Sequence, residues 1–354
     1  MYDKMFSKDV GSFFRSPVRE IFKKVDLNSI YSFAGGYPSA ETFPMEEIRK
    51  TMSEVIDKYG GKAFQYGATQ GVTELREAVA ARYGVSVDRV QIASSSQQGI
   101  DVCTRVMVDP GDVILTSNPS YLGALQSFCS YRADIRGISH DNDMETFRAA
   151  YEREIAKVRE EGKKIKFLYM IPDFQNPSGE SLTLEERKML VGLAQEHGFL
   201  IVEDSPYREL RYEGEHIPTM YSLAPDHVIH LGSFSKIFAP GFRLGWAIAH
   251  PDILDKIYVC NPIKMTNIRR NEVKSKISMR KVKKEMDSGR RGELYICTEK
   301  DIVQRAALVL QEVRYVIEAH FEMTEAANAT DNPGKFQDII KRRLKKGQCY
   351  HTPY

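Results

Sequence analysis

The 354-residue chain has no apolar run long enough to span a bilayer, so a helical membrane span is not expected. It also has little excess of either charge. Lys and Arg number 50 against 48 Asp and Glu, a net of +2, which removes any chain-wide nucleic-acid footprint. The five cysteines (Cys103, Cys129, Cys260, Cys297 and Cys349) show neither disulfide-framework nor zinc-finger spacing. Scattered and odd in number, they point to free thiols in a reducing compartment, hence a cytoplasmic location and no metal centre. Residues Met1 to Arg15 mix charges with Phe13 and Phe14 and lack the apolar core of a signal peptide. What remains is 42% hydrophobic and 28% charged, the composition of a globular protein, at a length sufficient for two domains.

Along the chain, apolar spacing predicts an amphipathic N-terminal arm to Leu27, with Phe6, Phe13, Phe14, Val18, Ile21 and Phe22 on one face. A helix is expected over Pro44–Tyr59, presenting Ile48, Met52, Val55 and Ile56, and another over Thr73–Tyr83. From Val90 onward short apolar strands alternate with helices: Val90–Ala93, Val113–Thr116, Ala133–Ile138, Ile165–Pro172, Phe199–Asp204, Val228–Gly232 and Leu244–Ala249. Thr183 with Glu186 reads as a capping box, and His197-Gly198 as a helix stop. Such alternation is the pattern of a mostly parallel α/β sheet with helices on both faces.

Small or reactive polar residues follow these strands. Ser94-Ser95-Ser96-Gln97-Gln98-Gly99 joins a strand to a helix start, where unpaired amides favour an anion. Tyr121, Asn176 and Asp204 lie after three further strands. In Ser233-Phe234-Ser235-Lys236 a lysine sits among apolar and small residues, with Arg243 seven residues on. An amine placed in that way can lose its proton and attack a carbonyl, while the hydroxyls and guanidinium suit a phosphate. Open α/β sheets bind ligands at the carboxyl ends of their strands, so these residues are expected to share one crevice.

Four ordered motifs carry a resemblance. Ser94–Gln98, Pro172-Asp173-Phe174-Gln175-Asn176-Pro177-Ser178-Gly179, Glu203-Asp204-Ser205-Pro206-Tyr207, and Ser233–Lys236 with Pro240–Trp246 resemble those of class I/II aminotransferases. Residues 31 to 260 are thus similar to the fold-type-I pyridoxal-phosphate enzymes, in the branch of the 2-aminoadipate, aromatic and branched-chain transaminases. The resemblance implies a seven-stranded-type sheet and pyridoxal 5'-phosphate as cofactor. It implies Lys236 as covalent anchor and proton shuttle, Asp204 as partner of the pyridine nitrogen, and Asn176 and Tyr207 as partners of the phenolic oxygen. It further implies Tyr121 stacked on the ring, and Ser96, Gln97, Ser233, Ser235 and Arg243 around the phosphate. Gly36 would meet the substrate carboxylate by its amide. Tyr66 would reach the neighbouring subunit's phosphate, which implies a homodimer. The expected reaction moves an amino group from an α-amino acid to a 2-oxo acid, 2-oxoglutarate foremost.

The resemblance divides the chain into an arm (residues 1–45), a large cofactor domain (46–262) and an atypical basic, partly helical segment (263–354). From Ile263 to Arg291 there are 11 Lys and Arg against 3 Asp and Glu, a net of +8. The small domain's glycine-rich aromatic strand and carboxylate-clamping arginine have no counterpart there. Arg269, Arg270, Arg280 and Arg314 have the right side chain but no matching motif. A solvated basic face is expected more than nucleic-acid binding; a foreign or fused tail is a further reading. Two alternatives therefore stand beside transamination: other chemistry of the same cofactor, such as β-lyase or decarboxylase activity, and a cofactor-binding protein with impaired catalysis.

Overall fold

The computed structural model describes residues 5–6, 36, 38–64 and 67–260. Within them seven short apolar runs form strands β1 (Val90–Ala93), β2 (Val113–Ser117), β3 (Asp134–Ile138), β4 (Ile165–Met170), β5 (Leu200–Asp204), β6 (Val228–Ser233) and β7 (Gly245–Ile248). They make one sheet in the order β1-β7-β6-β5-β4-β2-β3. Neighbours from β3 across to β6 pair in parallel, while β7 runs antiparallel to both β6 and β1. The carboxyl ends of β1, β2, β4, β5 and β6 therefore open on one edge, and the loop from β6 to β7 turns back over it.

Helices α1 (Met45–Tyr59), α2 (Thr73–Tyr83), α3 (Ser96–Met107), α4 (Leu122–Ser130), α5 (Met144–Glu160), α6 (Leu184–His197), α7 (Met220–Leu223) and α8 (Pro251–Cys260) cover the sheet. Side chains alternate across strands, so each face needs its own apolar cover. On one face Val113, Leu115, Leu168, Met170, Ile201 and Trp246 pack with α1, α2, α5, α6 and α7. On the other Ile114, Phe167, Tyr169, Val202, Ile229 and Leu231 pack with α3, α4 and α8. The capping box forms at Thr183, and Gly198 closes α6 in the left-handed conformation at φ 72°.

Two details differ from the sequence reading. Helix α3 starts at Ser96, inside the polar stretch expected to join strand to helix, because Ser95 at φ 78° turns the chain and the polar residues already form the first helical turn. Met52 and Ile56 of α1 do not join the core; that helix buries Ile48, Thr51 and Val55 and leaves both side chains 44–47% exposed. The apolar spacing was correct, but the helix has two apolar sides. Phe6, assigned to an apolar face of the arm, is exposed. The rest of the N-terminal arm, Tyr66 and the segment 263–354 lie outside the described residues.

Candidate active site

The sheet edge encloses a cavity of about 840 Å³ whose walls include Ser96, Gln97, Tyr121, Asn176, Asp204, Tyr207, Ser233, Ser235, Lys236 and Arg243. They come from the segments after β1, β2 and β4, from the end of β5 and just beyond it, and from the end of β6 with the β6–β7 connection. Ser96, Tyr121, Asn176, Asp204 and Lys236, expected from their strand-end positions to share a crevice, thus line one cavity, with five residues that the resemblance adds. Gly36 lies against it through Lys236: the lysine Nζ donates to its carbonyl at 2.7 Å. The main-chain group that Gly36 turns to the site is therefore its carbonyl, at φ 55°.

Lys236 follows β6 in a loop whose Phe234, Phe238 and Ala239 are buried. Burial lowers the pKa of the ammonium from its ordinary value, because a charged amine loses hydration there. The amine lies 5.9 Å from the centre of the Tyr207 ring.

Asp204 ends β5 and is 1% exposed. Burial pushes its carboxyl up to about 6, against hydrogen bonds from Tyr169 and Ser96 that favour the ionised form. The Tyr169 hydroxyl donates to Oδ2 at 2.9 Å. Oδ1 is buried with no hydrogen-bond partner among the described residues. A buried carboxylate oxygen left without a donor is costly. A protonated ring nitrogen entering the cavity would supply both the donor and the opposing charge.

The other end of the cavity suits an anion. The first turn of α3 presents amides that the helix does not use internally. Arg243 donates from Nη2 to Ser95 Oγ at 2.6 Å, which fixes its guanidinium beside that turn. Ser233 Oγ donates to Ser235 Oγ at 3.0 Å and accepts from the Ser235 amide at 3.1 Å. The Gln97 side chain is committed elsewhere: Nε2 donates to Gly123 O at 2.9 Å and Ser127 Oγ at 3.1 Å. Its contribution to an anion would be its main-chain amide. The Ser96 hydroxyl favours the ionised form of Asp204. Close approach sets two glycines: a Cβ on Gly123 would meet Tyr121 at 2.6 Å, and one on Gly245 would meet Ser95 backbone at 2.8 Å.

Asn176 Nδ2 donates to the Tyr207 hydroxyl at 3.4 Å, and burial raises that phenol to about 12. Three residues around the site were not singled out in sequence. Tyr169 looks like an ordinary aromatic of an apolar strand; only its β4 register beside β5 reveals that it meets Asp204. Ser95 holds φ 78°, a conformation that favours glycine and that its residue type does not announce. Gln175, 6% exposed, binds three neighbours and is discussed below.

A family described as Aminotransferase class I and II matches residues 33–263. The chain belongs to the class I and II aminotransferase family. Aromatic-amino-acid aminotransferase 1 of Thermococcus litoralis is 41% identical over 265 residues, which is 73% of this chain and 63% of that protein. The chain therefore spans under two thirds of that relative's length. Among solved structures, the kynurenine aminotransferase of Pyrococcus horikoshii, in complex with PMP, aligns with a TM-score of 0.74 and 36% identity, over 87% of this chain and 74% of that one. The α-aminoadipate aminotransferase of Thermus thermophilus, complexed with N-(5'-phosphopyridoxyl)-L-leucine, aligns with a TM-score of 0.72 and 32% identity, over 81% and 73%. The fold-type-I architecture expected from the motifs is thus the fold of this aminotransferase chain. A second family, described as CRISPR-associated protein (Cas_Cas5), matches residues 242–352. That match overlaps the first at residues 242–263 and runs through the part of the chain that lacks aminotransferase motifs.

Proposed function

We propose that the chain binds pyridoxal 5'-phosphate and transfers the amino group of an α-amino acid to a 2-oxo acid, with 2-oxoglutarate as the expected acceptor. The observation that carries this reading is the pairing of an amine whose burial favours neutrality, on Lys236, with the unpartnered Asp204 Oδ1 across one cavity. Bound there, the cofactor supplies an aldehyde that condenses with amines and a ring that accepts electrons from the substrate carbon. Lys236 would hold it covalently and afterwards carry the proton between the substrate Cα and the cofactor. Asp204 would hold the proton on the ring nitrogen. Asn176 and Tyr207 would orient the phenolic oxygen, and Tyr121 would lie on the ring. Ser233, Ser235, Arg243 and the first turn of α3, with Ser96 and Gln97, would hold the phosphate. Residues 46–262 would serve as the cofactor domain, and Gly36 would border the substrate carboxylate. A cytoplasmic location goes with this reading.

A homodimer belongs to the same proposal. Met45, Met52 and Ile56 of α1 and Phe64 just beyond it are 44–71% exposed, an apolar stripe that suits a second copy. In this reading Tyr66, two residues on in sequence, would reach the neighbouring subunit's phosphate.

A second reading, cofactor binding with weak turnover, is favoured by the second family match. It takes up the region where a carboxylate clamp is expected from the resemblance. One experiment separates the readings. The purified full chain is mixed with pyridoxal phosphate, reduced with borohydride, and peptide-mapped; a panel of amino acids with 2-oxoglutarate is assayed in parallel. Label on Lys236 with amino-acid product supports transamination. Label without product supports the second reading. Absence of label on Lys236 sinks both.

A further inference from the structure

Two loops deliver ring-facing groups to the cavity from neighbouring strands. The loop after β2 carries Tyr121, and the turn after β4 carries Asn176. The two strands are adjacent and parallel, but the loops leave the sheet separately. One buried side chain joins them. Gln175 Nε2 donates to Ser117 Oγ at 3.1 Å and to the Pro119 carbonyl at 2.9 Å. Its Oε1 accepts the Ser178 amide at 2.7 Å. Its main chain closes the turn, donating to Glu180 O at 2.8 Å and accepting from the Gly179 amide at 2.6 Å. Every polar atom of this residue is therefore used: N, O and Oε1 within its own turn, and Nε2 on the end of β2 and the Tyr121 loop.

The turn is anchored on its other side as well. Asp173 is held by Arg187 at 2.9 Å, Arg211 at 3.0 Å and Arg208 at 3.3 Å. Phe174 lies under the Arg211 guanidinium, 4.8 Å from the ring centre. These contacts fix where the turn leaves the sheet. They do not reach the β2 loop. Gln175 alone among the described residues of this turn's Asp173–Gly179 stretch has side-chain hydrogen bonds to that loop.

We propose that Gln175 is a positioning residue: it sets the distance between Tyr121 and Asn176, so that the ring-stacking face and the polar ring contact engage one ligand together. This rests on the cofactor reading given above. The physical basis is that two side chains on independent loops each lose freedom when a planar ligand is bound, whereas a buried tie between them removes that freedom beforehand.

The test is a double-mutant cycle on pyridoxal phosphate affinity in the full chain, using Gln175→Leu and Tyr121→Ala. In the parent background Gln175→Leu should weaken the cofactor roughly ten-fold, the scale of losing buried hydrogen bonds at a binding site. In the Tyr121→Ala background the same change should cost about two-fold or less, because the residue it places is gone. Visible circular dichroism of the bound cofactor should also weaken in Gln175→Leu, since it reports how firmly the ring is held. Gln175→Glu keeps the acceptor for Ser178 but loses both donors to the Tyr121 loop, so it should behave like Gln175→Leu. Ser117→Ala should show a smaller effect in the same direction. These two variants carry the cycle if Gln175→Leu does not fold. Equal losses in both backgrounds, as a merely structural role gives, overturn the proposal, as does unchanged affinity. A parent chain that binds no pyridoxal phosphate overturns the site reading and this inference together; binding with equal losses overturns this inference alone.

Discussion

Two buried aspartates, on neighbouring strand ends, are treated in opposite ways. Asp173 after β4 is fully buried and meets three guanidinium groups. Asp204 at the end of β5 is equally hidden but meets hydroxyls and has one oxygen without a partner. Burial works to raise both carboxyls. At Asp173 the charges of Arg187 and Arg208, with the hydrogen bonds of Arg187 and Arg211, overcome it, and the pKa falls below its ordinary value. At Asp204 burial wins, and the carboxyl rises to about 6. A buried charge matched by side chains is part of the frame. A buried charge left short of a partner marks where something else is meant to bind.

The contrast can be broken by exchanging what each site loses. Asp204→Ala should lower transamination by on the order of 10³-fold or more while the protein keeps its fold, measured as kcat with added cofactor and far-ultraviolet circular dichroism. Retained turnover would remove the role proposed for Asp204. Asp173→Ala should do the reverse. Stranding three guanidiniums around a cavity should cost about 3–5 kcal/mol in denaturant unfolding, with cofactor contacts otherwise intact. A stability change within experimental error would show that the arginines find other partners.

Acidity sharpens the comparison further. Asp204 has a raised native pKa of about 6 against 3.8 ordinarily, so between those values the folded protein keeps a proton that the unfolded chain has released. Stability of the cofactor-free protein should then fall as pH rises from about 4 to 6, by on the order of 3 kcal/mol from this group. Asp173 acts with the other sign: its contribution is present above its ordinary pKa and is lost as pH falls below it. Unfolding curves of the parent and Asp204→Asn across this range test the point, and an identical pH slope in both would refute it. The smallest effect is expected from Tyr169→Phe. It removes one donor from Asp204 and should weaken cofactor binding by about ten-fold with little loss of stability. Titration of the cofactor by absorbance would show this, and unchanged affinity would mean that Ser96 alone suffices.

Much of the site was readable before any coordinates, because its residues follow strands and strands have a clear apolar signature. Lys236, Asp204, Asn176, Tyr207 and Arg243 each stand in an ordered motif at a strand end. What stayed hidden depends on side-chain direction between strands. Tyr169 is indistinguishable from core until β4 and β5 are paired in register. Gln175 sits inside a recognised motif, yet its tie to Ser117 and Pro119 crosses from one loop to another. Helix α1 shows the opposite failure. Its spacing put Met52 and Ile56 on one side with Ile48 and Val55, but periodicity identifies an apolar side without saying what covers it.

The placement of β7 has a consequence for how the protein is made. Among the described residues β1 lies at the edge of the sheet, and its neighbour is β7, with Ala93 opposite Gly245. While the chain is still emerging from the ribosome, β1 has no strand to dock on until residues up to Ile248 have appeared. The serine turn that follows β1 is attached to the rest of the site by that same docking. Because β7 returns antiparallel, the connection that brings it back is the lysine loop itself. Insertion of one late strand would thus seat Lys236 and bring the serine turn beside Arg243 in a single event. Translation of most of the sheet would precede any capacity to capture the cofactor.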